Sequence, residues 1–96
     1  MKFEWDVDKN HTNMEKHGLH FQDAEFVFSG KTITFEDDRY DYGENRYITL
    51  GELKNRVVIV VHAQRNSVVR IISMRKANER EKKIYIQRLN EVGSND

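Results

Sequence analysis

The chain has 96 residues, 38% of them apolar and ten aromatic. That suffices for one domain with a modest core and excludes a disordered chain. It has no cysteine and no proline, which excludes disulfides, thiolate metal sites and rigid proline linkers. No apolar stretch follows Met1-Lys2-Phe3-Glu4, and the longest apolar run, Val57 to Val61, is only five residues. Neither a secretory leader nor a membrane span is expected, and the setting implied is a reducing cytoplasm.

A net charge of zero hides an asymmetry. Residues 1–50 carry 6 basic and 11 acidic side chains, and residues 51–96 carry 10 and 5. Two readings follow: a basic face for a polyanion or an acidic partner, or two halves that attract each other within the fold.

In chain order, Phe3 to Trp5 reads as a short strand. Asp6 or Asp8 is placed to accept from free helix N–H groups, so a helix starts there. It runs to about His17, and Gly18 supplies a left-handed stop. Val7 and Met14 are its only clear apolar residues, which predicts a narrow packing stripe. Phe21, Ala24, Val27 and Phe28 recur at helical spacing, so a second short helix spans about 21–28 and ends at Ser29-Gly30.

Strands come next. Residues 32–35 alternate with Ile33 and Phe35 on one face, and residues 46–52 alternate with Ile48 and Leu50 inward. The acidic segment 36–44 between them contains Gly43, a turn signal. Residues 56–64 are almost continuously apolar and β-branched, as in a strand buried on both faces. Asn55 and Asn66-Ser67 mark tight turns, and a further strand spans 68–74. Short connections predict an antiparallel meander. Asn78 and Glu81 form an Asn-x-x-Glu capping pair for a helix over about 79–91. Its stripe is Tyr85, Leu89 and Val92, with Ile84 at the edge, and Gly93 to Asp96 form a frayed tail. The fold class is α+β: a twisted antiparallel β-sheet packed against two N-terminal helices and one C-terminal helix.

Many residues at set spacings carry a resemblance that covers residues 3 to about 86. They include Phe3-Glu4-Trp5-Asp6, then Lys9, Asn10, Asn13, Lys16, His17 and Gly18. Phe21, Ala24 and Phe28 follow, then Glu44, Arg46, Gly51 and Arg65. The most specific run is Arg70-Ile71-Ile72-Ser73 with Arg75-Lys76-Ala77, followed by Glu81 and Tyr85. Met74 departs from the pattern, which more often has a small residue there. Taken together these motifs resemble the BrnT family, toxins of bacterial type II toxin–antitoxin pairs and similar to RelE/ParE-type ribonucleases. The resemblance implies a RelE-like fold in a single domain over residues 1–96. It also implies endoribonuclease activity that halts translation, and neutralisation by a BrnA-like antitoxin. The complex would be a heterotetramer of two toxins and two antitoxins, reaching operator DNA only through the antitoxin.

RNA cleavage without metal needs a base for the 2′-hydroxyl, a cation for the charged phosphorane and an acid for the leaving oxygen. His17 is the natural proton-transfer candidate because its ordinary pKa lies near neutrality. Arg65, Arg70 and Arg75 are the candidate catalytic cations, and Lys9, Asn13, Lys16 and Lys76 the candidate RNA contacts. Arg65 and Arg75 fall at opposite ends of the last strand pair, with Arg70 between them. Arg75, at the strand exit before the Asn78 cap, is expected to be largely exposed.

Structural readings stand beside these. His17 is also a cation favoured at a helix C-terminus. Arg70 can bridge across the sheet to an acidic residue, for instance at 36–44. Lys9 and Lys16 can form a solvated face. His62, inside an apolar strand, reads as a hydrogen-bonded core histidine, and Tyr85 as core with its hydroxyl at the surface. No cofactor is expected, and His11, His17 and His20 lack the spacing of a helical zinc pair. The competing function is a non-catalytic module that grips RNA or an acidic protein with the same basic face. No helix-turn-helix or zinc-finger pattern supports direct DNA reading.

Overall fold

The computed structural model describes the backbone of residues 1–94 and the side chains of residues 1–91. Local chemistry sets most element ends. Strand β1 (Lys2–Trp5) leads into helix α1 (Val7–His17), where the Asp6 carboxylate accepts from Lys9 N at 3.0 Å. Gly18 closes α1 at φ 70° and donates its N–H to Met14 O. The predicted second helix is a 3-10 turn (Phe21–Asp23) running into helix α2 (Ala24–Ser29).

Four strands follow: β2 (Ile33–Asp37), β3 (Arg46–Leu53), β4 (Arg56–Arg65) and β5 (Val68–Lys76). The β3–β4 turn places Lys54 and Asn55 at φ 52° and 64°. Positive φ at both positions is what a two-residue hairpin needs to match the strand twist. Helix α3 (Glu79–Ser94) begins with a complete capping box: Glu81 N donates to Asn78 Oδ1 at 2.8 Å and Asn78 N to Glu81 Oε1 at 2.9 Å. Its backbone runs past the predicted end. The Val92 side chain and residues 95–96 lie outside the described residues.

The strand order is β1-β5-β4-β3-β2. Strands β2 to β5 form the expected antiparallel meander, but β1 pairs in parallel with β5, from Lys2 opposite Val68 to Trp5 opposite Ile71. The sheet is therefore mixed, a correction to the all-antiparallel expectation. The chain leaves β1 through α1 and α2 and enters β2 at the opposite edge, so β1 has no hairpin partner. It joins the free edge of β5, a pairing between residues more than sixty positions apart.

Strand β4 is buried on both faces, as expected. Val58 and Val60 pack with Phe21, Ala24 and Val27 beneath α2, while Ile59 packs with Leu50, Ala77 and Tyr85 beneath α3. Tyr85 is core, and its hydroxyl donates to Lys31 O at 2.8 Å. Helix α2 lies so close to β3 that a Cβ on Gly51 would sit 2.7 Å from Val27 Cγ1.

Helix α1 departs from expectation. Val7 is exposed, and the buried residue of α1 is Asn13. Asn13 Nδ2 donates to Leu19 O at 3.0 Å, and its Oδ1 accepts from Met74 N at 3.1 Å. Asn10 Oδ1 accepts from Phe21 N at 2.9 Å. The reason is an edge problem: β1 pairs with β5 only as far as Ile71, so Met74 N needs another acceptor. Amides therefore hold α1 where an apolar stripe was expected.

Candidate functional site

Helix α3 packs against β2 and β3, over Ile33, Leu50 and Ile59. The same sheet face continues beyond it towards the β4–β5 turn. There the pairing register aligns one residue from each strand: Asp37, Arg46, Ala63, Arg70 and Glu4, in order from β2 across to β1. A second, shorter row places Arg65 beside Glu44. A bulge at Ile72 in β5 shifts the alternation, so Arg70 and Arg75 lie opposite Ala63 and Ile59 on this one face. Bulges re-aim side chains in this way.

Every arginine of this face meets a carboxylate, but not equally. Arg39 grips Asp37 through two bonds of 2.8 and 3.0 Å, with the Tyr42 hydroxyl donating to the same carboxylate. The Arg39 guanidinium holds the Asp37 carboxyl down at about 2. Arg65 donates to Glu44 at 2.8 Å and lowers its pKa. Arg75 grips Glu81 through bonds of 2.8 and 2.7 Å, which lowers Glu81 and raises Arg75.

The two arginines that flank Ala63 are held more loosely. Arg46 Nε stands 3.5 Å from Glu44 Oε2, is buried, and has no hydrogen-bond partner among the described residues, while the guanidinium lies over the Tyr42 ring at 4.1 Å. Arg70 NH1 stands 3.4 Å from Glu4 Oε2. Their guanidinium donors are largely unspent. Their Cα atoms are two strand spacings apart, about 10 Å, on either side of the buried Ala63. Such a pair can close on one tetrahedral oxyanion. The sequence named Arg46 as a motif residue but not as a site residue. Its place in the row exists only once three strand registers are set.

The predicted site residues separate into two groups. Arg65, Arg70 and Arg75 share the α3 side of the sheet. Arg65 and Arg75 occupy opposite ends of the β4–β5 pair, as expected. Arg70 does bridge across the sheet, but to Glu4 on β1 instead of the 36–44 segment. Arg75 is not the free surface cation expected: its side chain is 41% exposed and engaged by Glu81.

Lys9, Lys16 and His17 instead line a cavity of about 330 Å³ between α1 and residues Ile72 and Ser73 of β5. His17 and Lys76 also line a second cavity of about 330 Å³ with His20, Lys54 and Arg56. Asn13 reaches the first cavity, yet its amide is committed to Leu19 and Met74. His17 therefore does not share a phosphate-sized site with Arg70 and Arg75.

His62 is the core histidine expected. Its Nε2 lies 2.7 Å from Thr49 Oγ1, which in turn meets Thr34 Oγ1 at 2.8 Å. Burial pushes its pKa down to about 4. Among the described residues, no group of three His, Asp or Glu side chains is placed to hold a metal ion, and no helix is long and apolar enough to cross a membrane.

No curated protein matches the chain. A family model does, over residues 5–81, which takes in α1, the row Arg46–Ala63–Arg70 and the Arg75–Glu81 pair but only the last residue of β1. Its description is the ribonuclease toxin, BrnT, of type II toxin–antitoxin systems, and this chain belongs to that family.

Proposed function

We propose that the protein is a metal-independent endoribonuclease that binds one backbone phosphate of RNA between Arg46 and Arg70. The observation that carries this reading is the pair of loosely held guanidinium groups flanking Ala63. They supply the positive charge that a phosphorane requires. Glu4 is the general base of the proposal. Glu44 and Asp37 are saturated by short arginine bonds that hold their pKa values down, whereas Glu4 has one loose contact and a side chain 43% exposed. Glu4 takes the 2′-hydroxyl proton, the 2′-oxygen attacks phosphorus, and the P–O5′ bond breaks. The products are a 2′,3′-cyclic phosphate and a 5′-hydroxyl, whose proton comes from water. Arg65 orients Glu44 beneath Arg46, Arg75 anchors α3, and Lys9, Lys16 and His17 serve the RNA strand.

The family implies an antitoxin partner. In this proposal it is BrnA-like, covers the arginine row, assembles as two toxins with two antitoxins, and alone touches operator DNA. Freed in the cytoplasm, the toxin cuts RNA and stops translation. A kinship with RelE/ParE-type toxins fits the antiparallel meander with helices packed on it.

The test uses antitoxin-free protein and single-stranded RNA in the presence of EDTA. Cleavage is expected, and Arg46→Gln and Arg70→Gln should each slow it by about 10²-fold or more without unfolding the chain. Dependence on added divalent metal would overturn the metal-free mechanism. Tight RNA binding without turnover would support the non-catalytic module instead.

A further inference from the structure

The side of the molecule away from the arginine row carries a different charge arrangement. Near the row, arginines are matched to carboxylates. Around the two cavities that meet at His17, Lys9, Lys16, Lys54, Arg56 and Lys76 make no ion pair among the described residues. Asp8 and Asp23 are the acids of these walls. Five cations against two carboxylates leave these walls with an excess of positive charge, which attracts an anionic ligand.

The placement comes from the fold. The β3–β4 hairpin presents Lys54 and Arg56. Lys76 lies opposite Val58, one diagonal step of roughly 7–8 Å from Arg56. That step is of the order of the spacing between successive phosphates in an extended strand. The loop after α1 adds His20, and His17 joins this cavity to the one along α1. The α1 cavity reaches Ile72 and Ser73, two and three residues beyond Arg70 on the same strand. Each cavity holds about 330 Å³, room for roughly one nucleotide. The two cavities thus adjoin at His17, and one of them touches the strand that carries Arg70.

We propose that this groove binds the phosphates of single-stranded RNA on one side of the scissile bond, so that the substrate is an unpaired strand several nucleotides long. The inference rests on the ribonuclease reading and specifies its substrate class. An acidic protein segment is the competing occupant. Two adjoining cavities, each of nucleotide size and one touching the strand of Arg70, favour the polynucleotide.

The probe is a fluorescent 12-nucleotide 2′-O-methyl RNA, which binds but cannot be cleaved, titrated across a range of salt. Arg56→Ala/Lys76→Ala is the main variant. Both residues are exposed and, among the described residues, make no side-chain hydrogen bond or ion pair, so its melting temperature should match the parent. Its Kd should weaken about 10-fold or more, and the slope of log Kd against log salt should fall by about 1.4, or 0.7 for each lost phosphate contact. Lys54→Asn, which suits the positive φ of that position, should weaken binding in the same direction and serves if the double variant misfolds.

In cleavage assays, the double variant should lose kcat/KM on a 12-nucleotide RNA but not on a dinucleotide. Unchanged Kd and salt slope overturn the groove. Normal RNA binding with lost affinity for oligoglutamate also overturns it, in favour of an acidic protein partner. If the parent binds the probe through Arg56 and Lys76 yet cleaves no RNA, the groove stands and the ribonuclease reading fails.

Discussion

Replacing Arg75 with alanine separates a structural arginine from a catalytic one. In the structure Arg75 donates to both oxygens of Glu81, and Glu81 also closes the α3 capping box through Asn78 N. Exposed ion pairs contribute only about 0.2–1 kcal/mol. A bidentate, charge-assisted pair sits at or above the top of that range. The Arg75 side chain is 41% exposed, so solvent screening holds the estimate to about 1 kcal/mol. For a domain of this size that lowers the melting temperature by roughly 4–8 °C. A double-mutant cycle of Arg75→Ala with Glu81→Gln isolates the pair, because glutamine still accepts from Asn78 N.

The pair also carries a pH signature. The Arg75 hydrogen bonds lower Glu81 below its ordinary 4.5. The pair's contribution is therefore present above about pH 4.5 and lost as pH falls through the folded value. Parent and variant melting curves should converge in acid and in high salt. Single-turnover cleavage per folded molecule should change by less than about threefold, since charge stabilisation is assigned to Arg46 and Arg70; loss of a transition-state donor would cost about 10²-fold or more. A full melting temperature with a hundredfold rate loss would refute this assignment and return Arg75 to the catalytic site.

Three further outcomes are expected. Lowering the pH from 6.5 to about 4 should cost on the order of 3 kcal/mol through His62, because the unfolded chain binds a proton that the buried ring refuses; a His62 midpoint near 6.5 by NMR would disprove this. Asn13→Ala should destabilise by about 2–3 kcal/mol, since it strips Met74 N and Leu19 O of their partner; chemical denaturation within 0.5 kcal/mol of the parent, on the order of an ordinary surface change, would contradict it. Gly51→Ala should cost about 1–3 kcal/mol by forcing α2 off the sheet, and an unchanged denaturation midpoint would show that the close approach does not persist in solution.

The sequence alone determined whatever depends on near neighbours. Asp6, Gly18, Asn55, Asn66 and the Asn78–Glu81 box act within a few residues, so helix ends and hairpin turns were legible. Alternation in β2 and β3, continuous burial in β4 and the apolar stripe of α3 assigned the core, including His62 and Tyr85. Tertiary structure decided what depends on register and distant pairing. Nothing near Phe3 signals that β1 runs parallel to β5, and nothing near Asn13 signals an unpaired amide at Met74. Arg46 became a site residue only because β3, β4 and β5 align it with Ala63 and Arg70. The bulge at Ile72 turned Arg70 and Arg75 onto one face. Glu81, not substrate, claimed Arg75, because its capping position leaves a carboxylate within reach of the strand end. Charge and motif spacing indicate which residues are available to bind phosphate. Only packing shows which of them already have partners.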